Sequence, residues 1–352
     1  MYPWLTSPDG YFPLPSYFTL LMVGFMLATY IAFRLSKSQG IDPDDLLDLA
    51  LYMLIAGLIG ARLLHVLADG HLTDYVNLCL NPLEVEVPSF IHVPCADDAD
   101  CLKREAGELC HPAALTCRPA RDCFAALKFW HGGLAFYGGF VLAILVGLRF
   151  LKRRGIAFLK MADLCSPVIA MGLVFGRMGC LLAGCCFGLL TDLPIGLEFP
   201  GDARPVDAQG RCPQNYDLLT TESGQKVCVI GSPALAQHVK EERLSVPARH
   251  SLSVHPTQLY EAVFCLMLFA YLLFWRRRNV RFTGQVFWEF SLWYGVGRFV
   301  VEVFRNDDRG VWLGSSLSTS QIIAIPFIAL ALVALVRGYR APPVAPETSV
   351  DS

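Results

Sequence analysis

Long apolar runs recur along the chain and constrain its fold more than any other feature. A helical bilayer span needs about 20 largely apolar residues, and runs of that length follow one another from Tyr17 to about Val336. Charged residues make up 17% of the chain, whereas soluble domains contain roughly a quarter. We therefore predict an all-α, polytopic transmembrane bundle.

The apolar runs predict about seven membrane helices. We place them at 17–34, 46–67, 132–150, 158–183, 256–275, 283–304 and 316–337. Basic residues then cluster on one side of the bundle, in 34–37, 152–154, 276–281 and 337–340. Because lysine and arginine are enriched in cytoplasmic loops, we predict that the N-terminus lies outside and the C-terminus in the cytoplasm.

The connections between these helices define the predicted domain organisation. We expect one membrane domain over 1–352, a cysteine-rich extracytoplasmic insertion at 68–131, an extracytoplasmic loop at 184–255 and a cytoplasmic tail at 338–352. The two outer loops contain eight of the thirteen cysteines: Cys79, Cys95, Cys101, Cys110, Cys117, Cys123, Cys212 and Cys228. An even number facing an oxidising compartment predicts disulfides, with free thiols or a structural metal site as alternatives. The spacing leaves the connectivity open.

Charged residues in the sixth predicted helix form the strongest candidate site. Spacings of four and three place Arg298, Glu302 and Arg305 on one helical face. A charge at the centre of a membrane helix costs about 3 kcal/mol, so such residues usually face a cavity and serve a function. One net positive charge remains after Glu302 pairs with one arginine, which favours an anion site. The alternative is an ion pair that only joins helices.

Three other predicted helices carry glycines or polar groups at their ends. In chain order, the segments are His131-Gly132-Gly133 through Tyr137-Gly138-Gly139, Gly176-Arg177 through Gly188, and His255 through Glu261. Glycine permits close helix approach and exposes backbone amides, both of which suit a phosphate headgroup. Helix packing and anchoring of aromatic side chains at the membrane interface are the alternatives.

The order of these segments resembles the bacterial prolipoprotein diacylglyceryl transferase family. The resemblance extends from about Tyr17 to Ile328. Besides the segments above, it rests on the stretch from Leu317 to Ile323, which opens the last predicted helix. It implies an enzyme of the bacterial inner (cytoplasmic) membrane. Such an enzyme transfers the diacylglyceryl group of phosphatidylglycerol to the lipobox cysteine of a preprolipoprotein signal peptide and releases glycerol phosphate.

The resemblance also implies roles for particular residues. The implied catalytic residues are Arg177, Arg298, Glu302, Tyr137 and His255. The implied substrate-binding residues are Tyr17, Gly132, Gly133, Gly138, Gly139, Gly179, Gly188, Gln258, Tyr260, Glu261, Tyr294 and Arg305. Arginine suits a phosphate because its planar fork pairs with two oxygens and keeps its charge. We expect no cofactor or metal. Nucleic acid is not an expected partner, because its phosphates require a basic protein face and the net charge of this chain is −2.

Three positions depart from the family's usual pattern. Tyr137 replaces a histidine, Cys180 an asparagine and Cys185 a glutamate. A tyrosine with an unperturbed pKa of about 10 is a poor general base. Removal of the acceptor's thiol proton would therefore require His131, His255 or the substrate phosphate.

The cysteines at the end of the fourth predicted helix support a rival hypothesis. Cys180, Cys185 and Cys186 suggest a paralogue on the same scaffold that uses thiols for lipid, redox or metal chemistry. Their spacing does not place all three on one helical face, so metal ligation requires a helix break at Gly184. Small apolar packing is the simpler interpretation. A lipid or solute transporter is a third hypothesis, although the sequence shows none of the internal repeats common in transporters.

Overall fold

A computed structural model describes most of the chain. The described residues are 16–68, 71–85, 95–103, 108–113, 116–128, 135–208, 212–213, 216–306 and 318–340. His131, Gly132 and Gly133 lie outside them. The chain forms two compact units, residues 42–157 and the remainder.

Helices dominate both units. They are α1 (Ser16–Ser36), α2 (Pro43–Ala68), α3 (Leu72–Leu80), α4 (Asp98–Lys103), α5 (Phe136–Arg154), α6 (Phe158–Ala183), α7 (Pro233–Lys240), α8 (Thr257–Ala270), α9 (Gln285–Glu302) and α10 (Thr319–Arg340). A π-helical turn and a 3₁₀ turn extend α8 to Asn279. A long helix is present at each of the seven predicted positions within the described part of the chain.

Five of these helical segments are long and apolar enough to cross a membrane: Ser16–Gln39, Pro43–Leu67, Phe158–Ala183, Thr257–Asn279 and Ser320–Arg340. The other two long helices, α5 and α9, each carry at least three charged residues. Large apolar side chains such as Phe18 and Met26 of α1 are exposed to the surroundings. Exposure of so many apolar side chains fits a lipid environment rather than water. The chain is a polytopic helical membrane protein.

Glycines bring α2 and α5 close together in the unit formed by residues 42–157. A Cβ atom at Gly138 would overlap with the carbonyl oxygen of Gly60, and one at Gly139 would lie 2.6 Å from the carbonyl oxygen of Gly57. Small residues allow such backbone contact between membrane helices. Gly138 and Gly139 therefore have a clear packing function.

Disulfides organise the loop between α2 and α5. They join Cys79 to Cys123, Cys95 to Cys110 and Cys101 to Cys117. The strands β1 (Leu109–Cys110) and β2 (Cys117–Arg118) pair in antiparallel fashion beside them. With the fourth bridge, Cys212 to Cys228, all eight cysteines of the two long loops are paired, which confirms the prediction of disulfides.

The second long loop contains a four-stranded antiparallel sheet that the hydropathy pattern did not predict. Its strands are β3 (Pro200–Pro205), β4 (Asp217–Thr220), β5 (Lys226–Gly231) and β6 (Ala248–His250), in the order β4-β5-β3-β6. Helix α7 packs on it, and the Ser232 hydroxyl caps α7 by accepting a hydrogen bond from the Leu235 N–H. The buried side chains of Ala203, Val227, Val229, Leu235 and Val239 form its core.

Helix α6 packs against α1, α8 and α9, and α10 packs against α9. Near its beginning, the buried carboxylate of Asp163 accepts hydrogen bonds from the backbone N–H groups of Gly284 and Phe287, at 2.5 and 2.8 Å. These bonds satisfy donors that the first turn of α9 leaves free. The start of α9 is thereby fixed to α6.

Candidate active site

An ion pair between α6 and α8 forms one half of the candidate site. The Arg177 Nη2 lies 2.9 Å from the Glu261 Oε1. The Tyr294 hydroxyl of α9 donates a hydrogen bond to the same oxygen, at 3.3 Å. Glu261 is only 1% exposed, and a buried carboxylate of this kind requires a cationic partner. Three helices therefore meet at one charged group.

A second ion pair lies at the end of α9. The Arg298 Nη2 lies 2.5 Å from the Glu302 Oε2, and the Arg305 Nε lies 3.8 Å from the same oxygen. Arg298 also donates a hydrogen bond to the Ser320 hydroxyl of α10, at 3.4 Å. All three charged side chains are buried. The predicted association of Arg298, Glu302 and Arg305 is confirmed.

The end of the helix differs slightly from the prediction. We expected it to extend to residue 304, whereas α9 ends at Glu302 and a turn follows. In this turn the N–H groups of residues 303–305 donate to carbonyl groups three residues earlier, so the coil continues to Arg305 and the spacing of three still places its side chain beside Glu302. An isolated antiparallel bridge between Arg305 and Gly188 then ties this turn to the segment that follows α6.

Gly188 allows three segments to meet. Its N–H donates to the His255 carbonyl oxygen at 2.9 Å. A Cβ atom at this position would overlap with the Phe304 carbonyl oxygen and lie 2.7 Å from the Cβ of His255. Only glycine fits without displacement of a neighbour. The predicted importance of Gly188 therefore has a steric basis.

Polar side chains at the start of α8 hold the turn that follows α6. The Gln258 Nε2 donates to the Cys185 carbonyl oxygen at 2.7 Å, and the Thr257 hydroxyl donates to that of Cys186 at 2.8 Å. His255 Nδ1 and the Tyr260 hydroxyl form a hydrogen bond of 3.0 Å. The segment from His255 to Glu261 thus provides both the carboxylate partner of Arg177 and the support for the cysteine-bearing turn.

Helix α1 closes another side of the site. A Cβ atom at Gly179 would lie 3.0 Å from the Tyr17 ring, so the glycine accommodates this tyrosine. Tyr17 also lies within electrostatic range of Arg177. Its predicted substrate-binding role is untested, but its position beside α6 is compatible with that role.

The site combines excess positive charge with unsatisfied polar atoms. Arg177, Arg298 and Arg305 provide three positive charges, against two negative charges from Glu261 and Glu302. Gln258 Oε1, Glu261 Oε2 and Arg298 Nη1 are buried without a hydrogen-bond partner among the described residues. Glu302 Oε2 likewise has none of suitable angle, despite its short distance to Arg298. Buried polar groups are normally satisfied, so this arrangement is suited to a polar, anionic ligand.

The structure brings most of the predicted residues of one unit together. These are Tyr17, Arg177, Gly179, Gly188, His255, Gln258, Tyr260, Glu261, Tyr294, Arg298, Glu302 and Arg305. Tyr137, Gly138 and Gly139 belong to the other unit, where Tyr137 is exposed. Their functional roles, and those of Gly132 and Gly133, stay predictions.

Two features of the site were not predicted. Glu261 is the carboxylate partner of Arg177, and the Ser320 hydroxyl is a hydrogen-bond partner of Arg298. Both contacts join residues far apart in the chain, so sequence spacing carries no signal for either. They depend on how α6, α8, α9 and α10 pack.

The fold and this site define a helical membrane protein with a buried, net cationic centre where several helices end. Residues 3–88 and 117–337 match the sequence pattern of the family described as prolipoprotein diacylglyceryl transferase. The chain belongs to this family. The unmatched interval, 89–116, falls within the cysteine-rich loop.

Named relatives agree with this assignment. The phosphatidylglycerol–prolipoprotein diacylglyceryl transferase of Thermus thermophilus is 30% identical over 91% of this chain and 93% of its own length. The protein of the same name from Clostridium tetani is 26% identical over 88% of this chain and 87% of its own. That from Proteus mirabilis is 33% identical over 63% of this chain and 67% of its own.

Proposed function

We propose that the protein transfers the diacylglyceryl group of phosphatidylglycerol to the lipobox cysteine of a preprolipoprotein signal peptide. The acceptor thiol loses its proton, and its sulfur forms a bond to a glyceryl carbon. The bond between that carbon and the phosphate oxygen breaks, which releases glycerol phosphate. The observation that carries this proposal is the buried arginine–glutamate cluster, located in a chain of this family.

The cluster suits the leaving phosphate. Arg177 and Arg298 provide guanidinium donors from two helices, and Arg305 adds a third positive charge. Arginine binds phosphate oxygens through paired N–H groups and stays charged when it is desolvated. Donors fixed in advance stabilise charge that develops on a leaving group. Glu261 and Glu302 hold two of these guanidinium groups in place before the lipid binds.

His255 is the proposed proton acceptor for the lipobox thiol. Imidazole is the side chain best suited to accept a proton at neutral pH, whereas a tyrosine hydroxyl such as that of Tyr137 is a poor general base. The hydrogen bond between His255 Nδ1 and Tyr260 fixes the ring and leaves Nε2 for the thiol. Replacement of His255 by Gln, with Tyr260 retained, should lower turnover in a transfer assay.

We also propose that the N-terminus and both cysteine-bearing loops lie outside the cytoplasm, in a bacterial inner membrane. Two features support this orientation. The basic ends of α5, α8 and α10 fall on the side opposite to the disulfides in the predicted topology. Disulfides also persist in oxidising compartments.

A reconstituted assay tests the reaction. The purified protein is placed in phosphatidylglycerol vesicles with a lipobox peptide, and mass spectrometry follows peptide diacylglyceryl thioether and glycerol phosphate. Both products should appear in equal amounts. A peptide with serine in place of the lipobox cysteine and vesicles of phosphatidylcholine alone are the controls. Absence of thioether with the native peptide, or equal rates in both kinds of vesicle, would contradict the proposal.

A further inference from the structure

Three free cysteines meet at the end of α6. Cys180, Cys185 and Cys186 are not in disulfides, and their sulfur atoms all lie within 4.8 Å of one another. The helix ends at Ala183, and Gly184 adopts a left-handed conformation with φ of +71°. The helix break that the spacing of these cysteines requires is therefore present. It brings together side chains that a continuous helix would separate.

The turn that carries two of these cysteines is fixed from several sides. Cys186 itself has a φ of +61°, a conformation that costs a non-glycine residue about 1 kcal/mol or more. Gln258 and Thr257 hold the carbonyl groups of Cys185 and Cys186, as described above. A Cβ atom at Gly184 would lie 2.9 Å from the Ser232 Cβ. The surrounding structure thus maintains a strained arrangement, as at many binding sites.

We propose that these three cysteines form a binding site for a single thiophilic metal ion, of the zinc or cadmium class. Zinc–sulfur bonds measure about 2.3 Å, so sulfurs around one ion lie about 4 Å apart, which the upper limit of 4.8 Å on the separations found here allows. Soft thiolate ligands select such metals. The proposal replaces the sequence-based expectation of no metal site and stands independently of the transferase reaction.

The neighbouring charges favour such a site. The Arg305 guanidinium lies within hydrogen-bonding reach of the Cys186 sulfur. Binding of a divalent ion by three thiols releases three protons to solvent and leaves a complex with one negative charge. The positive guanidinium offsets that charge.

A disulfide is the competing use of the same cysteines. It would join two of the sulfurs and leave the third without a function, whereas one ion uses all three. Oxidation also needs an electron acceptor. The close grouping of three sulfurs, rather than one pair, therefore favours metal ligation.

Cadmium titration of the full-length protein tests the proposal. The protein is purified in detergent without metal or reductant under nitrogen, so that the four outer disulfides stay intact. A thiol count after denaturation should give the five free cysteines of the structure. Added Cd²⁺ should then produce an ultraviolet thiolate-to-cadmium charge-transfer band that saturates at one ion per protein and disappears with excess Zn²⁺.

Substitutions locate the ion. Cys180→Ser, Cys185→Ser and Cys186→Ser should each weaken Cd²⁺ binding at least tenfold, while Cys165→Ser, on the same helix but outside the cluster, should bind like the native protein. Cadmium should also slow alkylation of the three native cysteines, which requires no variant. A missing band, a band retained in the triple variant, or a peptide map with a disulfide within the cluster would each overturn the proposal.

Discussion

The two ends of α9 each bury a glutamate beside an arginine, but they differ in how completely these groups are satisfied. Near the start of the helix, Glu289 Oε2 accepts from the Tyr271 hydroxyl at 2.7 Å and the Arg276 Nε at 2.6 Å. Its Oε1 accepts from the Gln285 Nε2 at 3.0 Å and the Tyr339 hydroxyl at 3.1 Å. Both carboxylate oxygens are fully used.

The other end of α9 is left incomplete. Arg298 Nη1 and, across the site, Glu261 Oε2 have no hydrogen-bond partner among the described residues. Glu302 Oε2 contacts Arg298 and Arg305 as ion pairs but at angles that form no hydrogen bond. A saturated polar network gives rigidity to a fold, whereas a buried group without a partner costs about 1–3 kcal/mol unless something binds to it. We infer that the start of α9 is structural and that its end receives substrate.

The largest expected effect follows from removal of the site's arginines. The double variant Arg177→Ala and Arg298→Ala should show no detectable transfer, since loss of one preorganised donor alone typically reduces turnover about 100- to 1000-fold. Thioether formation in phosphatidylglycerol vesicles is the measurement. The rate of each single variant should lie between those of the native protein and the double variant.

Two controls separate this effect from misfolding. The variants should elute from a sizing column in detergent as the native protein does. Arg298→Lys should keep the charge but lose the paired geometry, and should restore only part of the activity. Normal transfer by the double variant would disprove the assigned role of the cluster.

Substitution of Glu289, at the start of α9, should lower the stability of the protein but leave its turnover unchanged. Glu289→Ala leaves the half-buried Arg276 and the hydroxyl of Tyr271 without their acceptor, which should lower the free energy of unfolding by about 2 kcal/mol. Thermal unfolding in detergent, followed by tryptophan fluorescence, measures this change. Turnover per folded molecule, measured well below the midpoint, should stay close to native. A large loss of turnover with unchanged stability would reverse the comparison.

Sequence reasoning found one of the two ion pairs of the site and missed the other. Hydropathy located the long helices, because bilayer thickness imposes a length that can be read from composition. Helical spacing joined Arg298 to Glu302 because the contact is local. The pair of Arg177 with Glu261 joins two helices, and no local pattern records how helices pack.

The two long loops that contain the disulfides show the same limit of sequence reasoning. Cysteine number and placement predicted disulfides, but pairing depends on the folded backbone, as in the bridge from Cys212 to Cys228. The sheet built around it escaped prediction because its strands are short, from three to six residues. The alternation of apolar and polar residues that predicts a strand is a weak signal over so few residues.

A glycine substitution tests whether the incomplete end depends on close backbone contact. In Gly188→Ala, the new methyl group would collide with Phe304 and His255, and should cost about 2 kcal/mol of stability while it displaces Arg305. Turnover should fall at least tenfold. Gly176→Ala is the matched control, since nothing lies within 4 Å of its added Cβ. Equal behaviour of the two variants would contradict the steric role of Gly188.

The smallest expected effect comes from an unsatisfied atom outside the site. His238 of α7 is fully buried in the second long loop. Its Nδ1 accepts a hydrogen bond from the Leu252 N–H at 3.2 Å, and its Nε2 has no hydrogen-bond partner among the described residues. Burial lowers the pKa of this histidine below its usual value near 6.5. Below that pH the unfolded chain binds a proton that the folded chain does not, so stability should fall with acidification.

Below pH 6.5, His238 should reduce the free energy of unfolding by at most about 1.4 kcal/mol for each pH unit of acidification. Above that pH, it should make no contribution to the pH dependence. Unfolding midpoints of native protein and His238→Gln, recorded from pH 5 to pH 8, measure it. The difference between the two curves should vanish or reverse on the acid side, while vesicle transfer at pH 8 stays the same. Parallel curves would show that His238 is not held neutral. Loss of transfer at pH 8 would instead show that an unsatisfied buried atom marks function here even outside the arginine–glutamate cluster of the site.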